Sequence, residues 1–135
     1  MNNILFIITG SIAASRCKEI ITLLRNKEVK ISCILTKEAK KYIKISDIKK
    51  LLKNRIFTDE DEKKNKMLHI NLSRDNDMIV VCPATANSIA KFANGYGDNL
   101  SSNTLLASNK KILFVPAMNS FMWHNKINQK NVRLL

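Results

Sequence analysis

The groups in this sequence that can do chemistry are few, and each sits in a short loop or beside one. His69, in Met67-Leu68-His69-Ile70, is one of only two histidines. An imidazole titrates near neutrality and is the side chain best suited to moving protons, although a lone His is more often a surface or capping residue. His124 carries the same ambiguity beside Trp123. Thr9-Gly10-Ser11-Ile12-Ala13-Ala14 follows an apolar run. There Gly10 permits a tight turn and Ser11 opens a helix whose free N–H groups favour an anion. The turn is no GxGxxG motif, and a plain Gly-Ser turn with an N-cap is the competing reading. Pro83-Ala84-Thr85-Ala86-Asn87-Ser88 also follows an apolar run. Its small residues let a planar ligand approach the backbone, while Thr85 serves equally as a helix cap. Pro116-Ala117-Met118-Asn119-Ser120-Phe121-Met122-Trp123 brings together an amide, two thioethers and the only Trp. Met and Trp in a row usually mean core or interface. The amide of Asn119 between them can orient a carboxylate. There is no Ser/His/Asp set, no metal-ligand cluster and no P-loop.

These loops need elements to hold them. Asn3 to Thr9 reads as a buried strand and Ser11 to Asn26 as a helix, with Ile12, Cys17, Ile20, Ile21, Leu23 and Leu24 on one face. Val29 to Thr36 reads as a second strand, with Ile31, Cys33 and Leu35 alternating against Ser32 and Ile34. Strand, helix, strand implies parallel pairing and a right-handed crossover. Glu38 to Lys53 predicts one or two basic helices, Thr58 to Lys66 a mobile polar loop, and Leu68 to Arg74 a short helical turn. Asp77 to Cys82 predicts a third strand stopped by Pro83. Helices over Ala86 to Ala93 and Leu100 to Ala107 follow, with a turn at residues 94–97 between them. Lys111 to Val115 predicts a fourth strand stopped by Pro116, with helical signals beyond it. The alternation predicts an α/β fold, an open doubly wound parallel sheet occupying residues 1–135 as one domain. Ligands in such sheets sit beyond the carboxyl ends of the strands. That rule selects Gly10-Ser11, Thr36-Lys37, residues 83–88 and residues 116–123.

Bulk properties narrow the function classes. With 135 residues and 45% hydrophobic side chains the chain builds one core. The first apolar run is too short for a signal peptide or a membrane span, so no membrane partner is expected. Cys17, Cys33 and Cys82 have no CxxC spacing and read as reduced core thiols, which suggests a cytoplasmic protein. The net charge is +12, and the run from Lys37 to Arg55 holds eight basic and two acidic residues. A polyanion site is one reading of that charge. But the run lacks interleaved aromatics for base stacking, so a solvated basic surface with no nucleic-acid partner is preferred.

In order along the chain, these segments resemble the homo-oligomeric flavin-containing Cys decarboxylases, and among them the phosphopantothenoylcysteine decarboxylase branch. TGSIAA looks like the family's phosphate turn, His69 falls where the family has its catalytic His, and residues 82–108 are similar to its flavin-binding stretch. PAMNSFMW fits the family pattern P-x-M-N-x-x-M-W at all five fixed positions. The resemblance implies a Rossmann-like flavoprotein that binds FMN and assembles as trimers or multiples of trimers, with flavin held between subunits. It implies that Gly10, Ser11 and Ile12 hold the phosphate. Thr36, Lys37, Glu38, Thr85, Ala86, Asn87, Ser88 and Ala117 would line the FMN. His69 would be the catalytic base and Asn119 would bind the substrate carboxylate. The implied reaction decarboxylates 4'-phosphopantothenoylcysteine toward 4'-phosphopantetheine in coenzyme A biosynthesis.

The resemblance also implies a later segment with a Cys that returns a proton to the product. None of Cys17, Cys33 and Cys82 falls in a suitable loop, and the family's last strands are not present, so the domain is expected to be shortened at its C-terminus. Three further readings follow. One is a peptidyl-cysteine decarboxylase, whose reaction ends at an ene-thiol and needs no such acid. Another is a non-catalytic flavin-fold regulatory subunit. The third is a polyanion-binding protein.

Overall fold

The computed structural model describes residues 2–135. Strands β1 (Asn3–Ile8), β2 (Lys30–Leu35), β3 (Ile56–Phe57), β4 (Met78–Ala84) and β5 (Lys111–Pro116) form one sheet in the order β3-β2-β1-β4-β5, all parallel. The chain winds outward from β1 in one direction and then, from β4, in the other. The switch point therefore lies between β1 and β4, where a crevice opens at the strand ends.

Both faces of the sheet are covered, which explains why the central strands read as continuous apolar runs. Phe6, Ile8, Ile31, Cys33 and Leu35 pack on one face against α1 (Cys17–Arg25) and α2 (Ile45–Leu52), through Ile21, Ile48 and Leu52. Leu5, Ile7, Ile34, Ile79 and Val81 pack on the other. They meet Leu68 and Leu72 of α4 (Leu68–Arg74), Ile89 of α5 (Ala86–Ala93), and Leu100 and Leu105 of α6 (Leu100–Leu106). Ile34 is thus buried on the second face; the alternation expected for β2 separates two cores, not core from solvent.

Several boundaries differ from the sequence reading, each for a local reason. The first helix is split: a 3-10 turn over Ile12–Arg16 precedes α1, because Ser11 caps that turn by accepting the Ala13 N–H. The split rotates Ile12 outward to 79% exposure, and Leu23 is exposed as well. Neither Pro83 nor Pro116 stops its strand. Both lie at the very end, where β4 and β5 still pair through Ala84 and Pro116 after a register shift. The short strand β3 carries only Ile56 and Phe57 and has too few residues to show a period.

The largest correction concerns residues 58–66. The expected loop is helix α3 (Asp59–Lys64). Asp61 accepts the Thr58 N–H at 2.8 Å, closing a capping box. Four acids in the first turn and two lysines in the last oppose the helix dipole favourably. Asp59 then reaches across to accept the Leu100 N–H at 3.0 Å, at the start of α6. The chain closes with α7 (Ser120–His124) and α8 (Lys126–Leu134), and α8 packs on α5. No helix among the described residues is long and apolar enough to cross a membrane.

Candidate active site

A cavity of about 440 Å³ opens at the switch point. Four strand ends build it: Thr9, Gly10 and Ser11 after β1, Thr36 and Glu38 after β2, Thr85 to Ser88 after β4, and Ala117 and Met118 after β5. The two central loops are stapled together by Thr9. Its buried hydroxyl donates to the Pro83 carbonyl and accepts the Thr85 N–H at 3.2 Å. Thr85 in turn caps α5, accepting the Ser88 N–H at 3.1 Å. Its Oγ1 also lies 2.9 Å from the Ser88 hydroxyl. Gly10 is required by a close approach: a Cβ there would overlap the Glu38 Cβ and come 3.1 Å from the Glu38 carbonyl carbon. The β1 and β2 loops can therefore close into one wall only with glycine at position 10.

The opposite wall is apolar, and the sequence marks its segments, residues 82–108 and 116–123, without marking which side chains face the cavity. Phe92, Leu105, Met118 and Met122 line it, with Ser101 and Ser102 below. They come from three helices and a loop, so no local spacing announces them. Two ion pairs frame the mouth, Lys41 to Glu38 at 2.6 Å and Lys91 to Asp98 at 3.0 Å. The hydrogen bond from Lys41 holds the Glu38 carboxyl below its usual range and lifts the lysine. The bond from Lys91 does the same to Asp98.

Of the residues singled out from the sequence, Gly10, Ser11, Thr36, Glu38, Thr85, Ala86, Asn87, Ser88 and Ala117 meet in this cavity. Ile12, Lys37, His69 and Asn119 are not in its wall. Asn119 is exposed at the rim and caps α7, its Oδ1 accepting the Met122 N–H at 2.9 Å. That bond fixes the amide so that its NH2 remains available to an incoming carboxylate. His69 lies on α4, partly buried, with Nδ1 2.8 Å from Glu62 Oε1.

With this geometry in view, the known proteins are informative. The family described as Flavoprotein matches residues 1–135. The chain belongs to the Flavoprotein family. The probable phosphopantothenoylcysteine decarboxylase of Streptococcus mutans is 31% identical over 136 residues, covering 98% of this chain and 76% of that protein. The coenzyme A biosynthesis bifunctional protein of Haemophilus influenzae is 34% identical over 130 residues, covering 95% of this chain. The chain spans only 32% of that bifunctional protein's length. Among solved structures, the FMN-dependent cysteine decarboxylase SpaF superposes with a TM-score of 0.93 at 30% identity, covering all of this chain and 79% of that one. Peptidyl-cysteine decarboxylase EpiD superposes at 0.85 with 34% identity, covering 99% and 80%. The doubly wound flavoprotein fold expected from the sequence is the fold found.

A flavoprotein site must hold a phosphate, a ribityl chain and a planar ring system, and the residues present fit FMN. The cavity volume lies within the range of small-molecule pockets. Short hydroxyls at positions 11, 85 and 88 and the backbone at Gly10 suit a phosphate and polyol, while Phe92, Leu105, Met118 and Met122 suit a flat apolar ring. The cysteines take no part in this wall; all three are buried. The Cys17 thiol is pushed up by its hydrogen bond with Cys82 and by burial, and the Cys33 thiol by burial alone. Among the described residues no group of His, Cys, Asp and Glu is arranged to hold a metal.

Proposed function

We propose that this chain is an FMN-dependent decarboxylase of a cysteine-derived thiol acid, with 4'-phosphopantothenoylcysteine as substrate and a place in coenzyme A biosynthesis. The observation that carries the reading is the segment after β5. Ala117, Met118 and Met122 lie in the cavity wall, and Asn119 between them presents an amide already oriented by its cap.

FMN, when bound, supplies the two-electron acceptor that makes the carbon bearing sulfur an electron sink for the departing carboxylate. The chain's residues do the rest. His69 takes the thiol proton at Nε2, the nitrogen left free by the Glu62 contact. The Asn119 NH2 holds the carboxylate in line. Phe92, Leu105 and Met118 exclude water from one side of the cavity. Gly10 and Ser11 hold the phosphate, joined at most by the backbone of Ile12, whose side chain is exposed, and Thr36, Glu38, residues 85–88 and Ala117 hold the remainder of the cofactor, with Lys37 outside the wall.

His69 and Asn119 lie outside the wall of one chain's cavity, which supports a site completed by a second copy. The apolar residues available for such contact are Phe121, 90% exposed, and Ile127, 72% exposed, with Leu113 and Val115 on the open edge of β5. The proposed assembly is a trimer or a multiple of it.

A second reading, decarboxylation of a peptide's terminal cysteine to an ene-thiol, is favoured by the likeness to SpaF and to peptidyl-cysteine decarboxylase EpiD. The test is spectroscopic. Purified protein should carry or take up FMN, and anaerobic addition of phosphopantothenoylcysteine should bleach it. Bleaching only by a peptide ending in cysteine would select the second reading. No bleaching by either would overturn both.

A further inference from the structure

The Glu62 to His69 contact does more than hold two helices together. His69 Nδ1 is a buried atom with no aligned hydrogen-bond partner, and Glu62 Oε1 lies 2.8 Å from it, a small side-chain rotation from a full bond. At 2.8 Å from a carboxylate oxygen, a proton on Nδ1 is the arrangement the contact favours. A bare Nδ1 would set lone pair against lone pair and leave a buried polar atom without a partner, which costs about 1–3 kcal/mol. With the ring neutral, the other nitrogen, Nε2, is then bare. The carboxylate therefore selects the tautomer in which Nε2 is a base.

Glu62 is itself held from two sides. Its helix is anchored by the Thr58–Asp61 capping box and by Asp59 on the Leu100 N–H. Its Oε1 also receives Asn103 Nδ2 from α6 at 3.5 Å. The Asn103 amide sits against Gly97, where an added Cβ would lie 2.6 Å from Asn103 Oδ1. We propose that Glu62, supported by Asn103, is the positioning residue that fixes the orientation and tautomer of His69. This rests on the reading of His69 as the base.

The test uses the flavin-loaded protein labelled with 15N, at about pH 8, above the ordinary imidazole range. Ring nitrogen shifts report the tautomer directly, and only two histidines need assigning, with His124→Gln identifying the other. The proposal expects His69 protonated at Nδ1. Glu62→Leu should move the proton to Nε2 and lower anaerobic flavin reduction about 10- to 100-fold, as loss of an orienting partner does elsewhere, with little change in KM. Glu62→Gln keeps a carbonyl acceptor and should preserve the tautomer and most of the rate. A parental His69 found protonated at Nε2 overturns the proposal, and that result needs no variant to fold. So does Glu62→Leu with tautomer and rate unchanged. The base assignment fails separately: His69→Asn at the parental rate would sink it whatever the tautomer. If His69→Asn is inactive while Glu62→Leu changes nothing, Glu62 alone loses its role.

Discussion

An imidazole is a useful base only when one nitrogen is bare and the ring is held still, and a sequence shows neither condition. His69 could be picked out by type and by its place in a resembling segment. Its partner could not, because Glu62 is one of four acids in a row and only the fold says which of them turns toward α4. His69→Asn should leave FMN uptake intact and lower substrate-driven flavin reduction by about 10²–10⁴-fold, the usual contribution of general acid–base catalysis. Stopped-flow absorbance under anaerobic conditions measures it, and parental kinetics would return His69 to a structural role. Gly10 was read as a turn glycine; the structure gives a different cause, the near-contact with Glu38. Since Glu38 Cβ and backbone cannot swing aside like the tip of a long side chain, Gly10→Ala should destabilise the protein by about 1–3 kcal/mol, the range for overpacking. A drop in the thermal midpoint together with weaker FMN binding is the expected result, and unchanged values for both would refute the close-packed wall.

Elements were legible where period and length agreed. Leu68 to Arg74 and Ala86 to Ala93 were placed as the structure has them, and the four longer strands to within a residue or two. Thr58 to Lys66 reads as a loop on polarity alone, although Thr-x-x-Asp with four acids followed by lysines is a helix-start pattern. The apolar cavity wall is legible by segment but not by side chain, because Phe92, Leu105 and Met122 converge only once α5, α6 and α7 have packed. The capping box makes a testable claim. Asp61→Ala should cost about 1 kcal/mol in urea unfolding, the typical worth of a cap, and should loosen the tautomer preference of His69 through α3. The Lys91–Asp98 pair ties the end of α5 to the loop before α6. The lysine's hydrogen bond holds the Asp98 carboxyl below its ordinary value of 3.8. A carboxyl lowered on folding stabilises the folded state above its ordinary value, and that contribution is lost as pH falls through the folded one. Parental protein should therefore exceed Asp98→Asn in stability at about pH 6, and the two should converge in acid, below the carboxyl's ordinary range. A difference independent of pH would mean that the ion pair is not the cause.

At the scale of the whole molecule, the topology followed from strand–helix alternation, and so did the position of the cavity, because the order β3-β2-β1-β4-β5 leaves one switch point. Assembly is not written in periodicity; it is argued from what the fold leaves bare, and Phe121, Ile127, Leu113 and Val115 are bare together with the amide of Asn119. Sedimentation of the FMN-loaded protein should give a trimer or a multiple, and Phe121→Glu should shift it toward monomer with loss of flavin; a monomer that keeps FMN tightly would refute a site shared between copies. The product of the reaction is likewise decided by the whole arrangement. Oxidation and loss of CO2 need a base, a carboxylate anchor and an electron acceptor, the roles proposed for His69, Asn119 and FMN. Forming the saturated thiol needs in addition an acid beside the ene-thiolate carbon. Cys17, Cys33 and Cys82 are buried, none lines the cavity, and Cys17 and Cys33 are pushed away from the thiolate by burial and hydrogen bonding. Water can supply a proton but is not positioned, and positioning contributes several kcal/mol to such steps, about 7–11 in the best cases. The 135-residue chain, given phosphopantothenoylcysteine without oxygen, should therefore stop after about one turnover per flavin. The product should be two hydrogens short of 4'-phosphopantetheine, and in air it should accumulate. Mass spectrometry of the product separates the outcomes: saturated 4'-phosphopantetheine formed over many turnovers by this chain alone would show that another group in the assembled site acts as the acid.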